Sequence, residues 1–192
     1  MAPRSPVAAV APAGQVIAIG ARGGSAGASV VAAGAPLAPG PSGAPLVAAV
    51  DGRARTLTIR DARTHVVRSS APAGVGPTHV ACVGSGRCYV ADTRGDALLV
   101  FAIGDGGHAL RLTRRVYLPG GPYGIAVDAP RHHLWVTSPG RNQLALLPAH
   151  GRPHVLARFA TIRQPDAVRV DARTGAAIVM PASGGLEQRV LP

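Results

Sequence analysis

From residue 44 to residue 192 the chain alternates short apolar runs with polar, glycine-containing turns. The segment YVADTRGDALLVF (Tyr89–Phe101) stacks without gaps over WVTSPGRNQLALL (Trp135–Leu147) and IVMPASGGLEQRV (Ile178–Val190), and upstream over VAAVDGRARTLTI (Val47–Ile59). Its second column reads Ala48, Val90, Val136, Val179; its last reads Ile59, Phe101, Leu147, Val190. Two apolar runs flanking a polar turn is the pattern of a β-hairpin. Val90, Val136 and Val179 are expected to be buried at equivalent places, as are Phe101 and Leu147.

A longer period contains these hairpins. PTHVACVGSGRCYVAD starts at Pro77, PYGIAVDAPRHHLWVTS at Pro122 and PDAVRVDARTGAAIVMP at Pro165, at spacings of 45 and 43 residues. Such a period signals a solenoid or a propeller. The second unit divides into strands His79–Val83, Cys88–Ala91, Ala97–Phe101 and Leu112–Tyr117. The third divides into Gly124–Val127, Leu134–Thr137, Gln143–Leu147 and Val155–Phe159. The first shows Leu46–Val50, Thr56–Arg60 and His65–Arg68, with ASVVAAG as a weaker leading strand. The fourth shows Val168–Val170, Ala177–Met180 and Leu186–Leu191, without a fourth strand. Four antiparallel strands per unit describe a propeller blade. The expected fold is all-β, a β-propeller of four-stranded antiparallel blades with about four blades present. It is either a partial propeller or a small closed ring. Residues 1–43 read as a low-complexity Ala/Gly/Pro-rich segment, in which QVIAIG (Gln15–Gly20) is a candidate strand for closing the last blade.

The units resemble those of YVTN/NHL-type β-propellers, whose pattern runs GP.GIAVD…LWVT…N.L. The resemblance covers about residues 45–192. It implies a propeller and leaves the function open, because such propellers include binding proteins, lactonase-like enzymes and lyases. Virginiamycin B lyase-like propellers use a histidine and a glutamate, and their hairpin often reads LWFTE; here Ser138 follows LWVT. Gluconolactonase-like propellers hold a divalent metal with Glu, Asn and Asp. This chain has one glutamate, Glu187, one asparagine, Asn142, and eight aspartates spread over turns. A hard cation needs several converging oxygens. Neither catalytic set carries over, and no cofactor or metal is expected.

Composition changes the picture in three ways. Aromatics make up only 3% of the chain, so Val, Leu, Ile and Ala must build the core. All 20 basic residues are arginine, and with the Ala, Gly and Pro excess this reads as the codon bias of a GC-rich genome. The net charge of +11 therefore carries less functional weight than it would otherwise. The arginines (Arg53, Arg68, Arg94, Arg111, Arg131, Arg158, Arg173) are scattered, without the base-stacking aromatics of a nucleic-acid face, so no nucleic-acid partner is expected. A cationic surface that weakly attracts anions is the plainer reading. No run approaches the 18 apolar residues of a membrane span, so no transmembrane segment is expected. Pro6, Pro12 and Gln15 interrupt what would otherwise resemble a secretory leader.

Antiparallel pairing puts two loops of each unit on one face: the one leading into the first strand and the one joining the second strand to the third. Propellers resembling this one bind ligands on the face where the leading residues ring the central channel. The candidate ligand-binding residues are therefore His79, Tyr123 and Asp166, supported by Arg94 and Asn142 from the hairpin loops. The plainer alternative is that these are variable loop residues. His132–His133 lie in a hairpin turn, with no zinc spacing around them. Ser85 lies in a tight turn without a nucleophile elbow, and Gly104–Gly107 is a turn that no helix follows.

Cys82 and Cys88 flank a hairpin turn at apolar strand positions. They are either two buried thiols acting as small hydrophobes or a cross-hairpin disulfide, which would imply an oxidising compartment. Thiol counting on unreduced protein distinguishes the two. The reading that follows is a non-enzymatic β-propeller of a GC-rich bacterium, binding an unidentified protein or small molecule. Export is slightly favoured over a cytoplasmic location. The runner-up is a degenerate lactonase-like or lyase-like enzyme acting in the central channel.

Overall fold

The computed structural model describes residues 28–29, 46–84 and 86–192. The segment QVIAIG and Ser85 lie outside the described residues. The first sheet comprises β1 (Ala28–Ser29), β2 (Leu46–Asp51), β3 (Thr56–Asp61) and β4 (Val67–Pro72). The second comprises β5 (Pro77–Val83), β6 (Arg87–Asp92), β7 (Ala97–Gly104) and β8 (Ala109–Tyr117). The third comprises β9 (Ile125–Asp128), β10 (His133–Ser138), β11 (Gln143–Pro148) and β12 (Ala157–Ala160). The fourth comprises β13 (Pro165–Val170), β14 (Ala177–Pro181) and β15 (Gln188–Val190). Every pairing is antiparallel and sequential, as the strand pattern predicts. Of the weaker leading strand, Ala28 and Ser29 pair with Asp51 and Val50.

Among the described residues, the apolar clusters join consecutive sheets. Ala48, Val50, Leu57 and Ile59 of the first sheet meet Val80, Val90, Leu99 and Phe101 of the second. The opposite face of the second sheet offers Ala81, Tyr89, Leu98 and Val100 to Ile125, Leu134, Val136 and Leu147 of the third. Trp135, Leu144 and Leu146 of the third meet Val168, Ala177, Val179 and Val190 of the fourth. The middle sheets are thus covered on both sides, and β6, β7, β10 and β11 are nearly uniformly buried. In the first sheet burial alternates, as expected when one face packs and the other meets water.

That alternation corrects the alignment of the first unit. Val90, Val136 and Val179 are fully buried, and each faces the preceding sheet. Ala48 and Ile59 are also buried, but they face the following sheet. The pairs Asp51↔Thr56 and Asp92↔Ala97 close equivalent hairpins, so the residue matching Val90 is Ala49. A one-residue slip moves every side chain to the other face. The face it exposes is polar, with Thr56, Thr58 and Arg60 on β3. The third strand of this unit, expected at His65–Arg68, starts instead at Val67. Asp61 holds the turn: its carboxylate accepts the Arg63 and Thr64 amides at 2.9 and 3.0 Å, and His65 takes a left-handed φ of 59°.

Cys82 and Cys88 are register partners joined by a disulfide, with Cα atoms 4.0 Å apart, just under the ~4.4–6.8 Å usual for such bonds. Both side chains lie in the cluster between the first and second sheets. Polar bonds tie neighbouring sheets together. The buried Tyr89 hydroxyl donates to the Ala149 carbonyl at 2.7 Å, and the Thr93 hydroxyl donates to the Pro122 carbonyl at 2.7 Å.

Candidate functional site

The segment that leads into each sheet begins with the repeated proline. In β5 a bulge separates Pro77 from His79, and in β13 another separates Pro165 from Ala167. The extra residues are Thr78 and Asp166, and Tyr123 holds the matching place after Pro122. A bulge re-aims a side chain out of the regular alternation, so these positions are displayed differently from the strand that follows.

Successive sheets make the same contact here. The His79 ring, two residues after its proline, lies 4.4 Å from the Tyr123 ring of the next sheet in an edge arrangement. Gly124, at the position matching His79, is pressed against the next sheet in turn. A Cβ on Gly124 would lie 2.6 Å from the Asp166 carbonyl oxygen and 3.1 Å from the Ala167 Cα. Gly124 is anchored from behind: its amide donates to the Thr137 hydroxyl at 2.8 Å, and its carbonyl accepts the Thr137 amide at 2.9 Å. Absence of a side chain at Gly124 is what lets the Asp166 backbone come so close.

Of the candidate ligand-binding residues, His79 and Tyr123 are therefore in contact, and the Asp166 backbone lies against Gly124, next to Tyr123. Burial pushes the His79 imidazole down to about 4 from its ordinary 6.5, so the ring is neutral at physiological pH. Its Nδ1 is buried and has no hydrogen-bond partner. Burial raises the Tyr123 phenol, and the negative charge of Asp166 raises it further. Burial also raises the Asp166 carboxyl. The cluster is a neutral ring, a phenol and a carboxyl, suited to hydrogen bonding with a polar ligand.

The His79 shift has a measurable consequence. The unfolded chain takes up a proton at about 6.5 and the folded one only near 4. Protonation thus favours the unfolded state as pH falls between these values. The contribution is present in full above 6.5 and is lost on acidification toward 4. An NMR titration of the imidazoles should show His79 titrating well below an ordinary histidine. An ordinary midpoint for His79 would mean that the ring is solvated and the cluster open.

Arg94 and Asn142 make their described contacts with the segments between sheets. The stem of Arg94 covers Gly76, as that of Arg141 covers Gly120 one unit later. Asn142 has a left-handed φ of 51°, and its side-chain oxygen accepts the Gln164 amide at 2.7 Å. Asp96 holds the matching place, with a φ of 49°. Its carboxylate accepts the Gly120 and Gly121 amides at 3.0 and 2.8 Å. Asp and Asn tolerate this backbone and bond locally. That shared repeat position is a sign in the sequence that Asn142 ties one unit to the next. Ser138, where a lyase-like hairpin carries glutamate, is buried. Glu187 is on the surface, paired with Arg169 at 2.8 Å. Among the described residues there is no group of three or more His, Cys, Asp or Glu placed to hold a metal. No helix among them is long and apolar enough to cross a membrane.

No protein-family model matches the sequence, and no curated protein matches it. Solved structures do. The chain is similar to the Swd1 β-propeller domain of Myceliophteria thermophila, with a TM-score of 0.65 at 13% identity, covering 84% of this chain and 53% of that one. It is similar to a putative 6-phosphogluconolactonase from Bacteroides uniformis, with a TM-score of 0.62 at 12% identity, covering 85% and 54%. It is similar also to virginiamycin B lyase from Staphylococcus aureus, with a TM-score of 0.54 at 12% identity, covering 77% and 52%. The chain spans about half the length of these structures. At such identities the likeness is one of fold: the four sheets are blades of a β-propeller, present here as a partial propeller.

Proposed function

We propose that this chain is a propeller of the YVTN/NHL type that binds a polar ligand without converting it, at the meeting of its leading strands. The observation that carries the reading is the buried His79 Nδ1, left without a partner among the described residues in a ring packed edge-on against Tyr123. The imidazole, phenol and carboxyl all hydrogen-bond, which suits a hydroxyl- or amide-bearing ligand.

The Cys82–Cys88 bond supports an exported protein, which the thiol count tests; the arginine-only composition supports a GC-rich bacterial source. A screen of polyols, amides and short peptides, followed by the His79 and Tyr123 resonances, tests the binding reading. Ligands should shift these signals in the wild type and not in His79→Ala, with the ligand recovered intact. Lactone hydrolysis or streptogramin cleavage that disappears in His79→Ala would replace this reading with the enzymatic one.

A further inference from the structure

A second site lies on the outer rim, between the second and third blades. A groove of about 580 Å³ runs beside the end of β8, lined by Arg114, Arg115, Tyr117, Arg152, Pro153 and His154 among others. A second groove of about 320 Å³ adjoins it and shares Arg114, Arg152 and Pro153, adding Arg87 and Thr113. Four arginines and a histidine line the pair, and among the described residues no carboxylate does.

The arginines fall into two kinds. Arg87 and Arg115 are held in place: Arg87 donates to the Gly151 carbonyl at 3.0 Å, and Arg115 donates to the Gly95 carbonyl and lies 3.7 Å from Asp92. Arg114 and Arg152 are exposed, and no described carboxylate forms an ion pair with them. Of the acids elsewhere whose side chains are described, all but Asp166 are engaged. Asp51 and Asp96 cap turns, Asp61, Asp128 and Asp171 pair with arginines, and Glu187 pairs with Arg169. Arg114 and Arg152 are therefore left as uncompensated charges of the groove among the described residues. Arginines along an open edge strand also discourage sheet-to-sheet pairing, which accounts for Arg114 and Arg115 on β8. It does not account for Arg87 or Arg152, which come from other elements and converge on the same space.

We infer that this groove binds a soluble small molecule carrying more than one phosphate or sulfate group. Guanidinium forks match such oxyanions two oxygens at a time, and several converging cations call for more than one anionic group. A volume of this order suits a small ligand. The site stands on different residues from the His79 cluster and does not depend on it.

The test is titration of the wild-type protein with tripolyphosphate by calorimetry at two salt concentrations. Binding should weaken with salt and fall tenfold or more in Arg114→Gln/Arg152→Gln. Arg152→Glu alone should weaken it at least as much as Arg152→Gln alone. Arg53→Gln/Arg63→Gln, which removes the same charge from exposed turns of the first blade, should bind like the wild type. All these residues are exposed, so unchanged melting temperatures will show that the variants are folded. Equal loss in the two double variants would reduce the effect to net charge and overturn the proposal. So would absence of tripolyphosphate binding, or binding confined to vesicles of phosphatidylserine in phosphatidylcholine.

Discussion

Trp135→Ala should lower the stability of the chain by about 3–5 kcal/mol, the range for deleting a large buried aromatic. At roughly 2–4 °C per kcal/mol for a chain of this size, the melting temperature should fall by on the order of 10 °C. Trp135 is fully buried between the third and fourth blades, with its ring 5.6 Å from that of Phe159. Its other neighbours are Leu144, Leu146, Val179 and Val190, all in strands that cannot readily collapse into the space left behind. The indole Nε1 is buried without a partner. Trp135→Phe therefore removes an unmatched donor while keeping most of the apolar contact, and should cost less than half as much as alanine. Urea or thermal unfolding of the three proteins decides the matter. A loss below about 1 kcal/mol for Trp135→Ala would mean that the interface between these blades does not exist in solution.

Gly124→Ala should destabilise the chain by more than a single methyl ordinarily does. The new Cβ would sit 2.6 Å from the Asp166 carbonyl oxygen. That atom belongs to the backbone of β13, and Gly124 is pinned on its other side by two bonds to Thr137. Neither side can yield by turning a rotamer, so the leading strand of the fourth blade must move. Overpacking of this kind costs about 1–3 kcal/mol. The displacement also has a signature of its own. Burial raises the Tyr123 phenol, and the charge of Asp166 adds to it. If Asp166 withdraws, the phenol should titrate at lower pH in Gly124→Ala than in the wild type. An unchanged Tyr123 titration together with unchanged stability would show that the close approach is absent.

The blades were readable from the sequence because each hairpin repeats the same alternation at nearly constant spacing. Phe101 and Leu147 fall at matching buried places for that reason. The first unit misled because its hairpin loop is one residue out of step with the ungapped alignment, and alanine at both 48 and 49 gives no clue to which faces the core. His79, Tyr123 and Asp166 could be proposed because the repeat fixes where each leading strand begins, with His79 one place later in its unit than the other two. The outer groove could not. Arg87, Arg114 and Arg152 stand far apart in the chain and belong to no shared column. Their meeting depends on how β8 lies against the 149–156 loop, which strand periodicity does not encode.

The covering of the middle blades on both faces has a consequence for how the molecule opens. In an array where each unit touches only its neighbours, local stability depends on how many interfaces a unit shares. The second and third blades each share two among the described residues, and a buried tyrosine bond and a disulfide add to their hold. Amide protons in β6, β7, β10 and β11 should thus exchange last, and those of β2, β3, β14 and β15 first. The His79–Tyr123 contact sits on the slow side of that gradient, and Asp166 sits on the fast side. Among the described residues, the two aromatic members of the cluster are thus expected to be held more firmly than the carboxylate beside them.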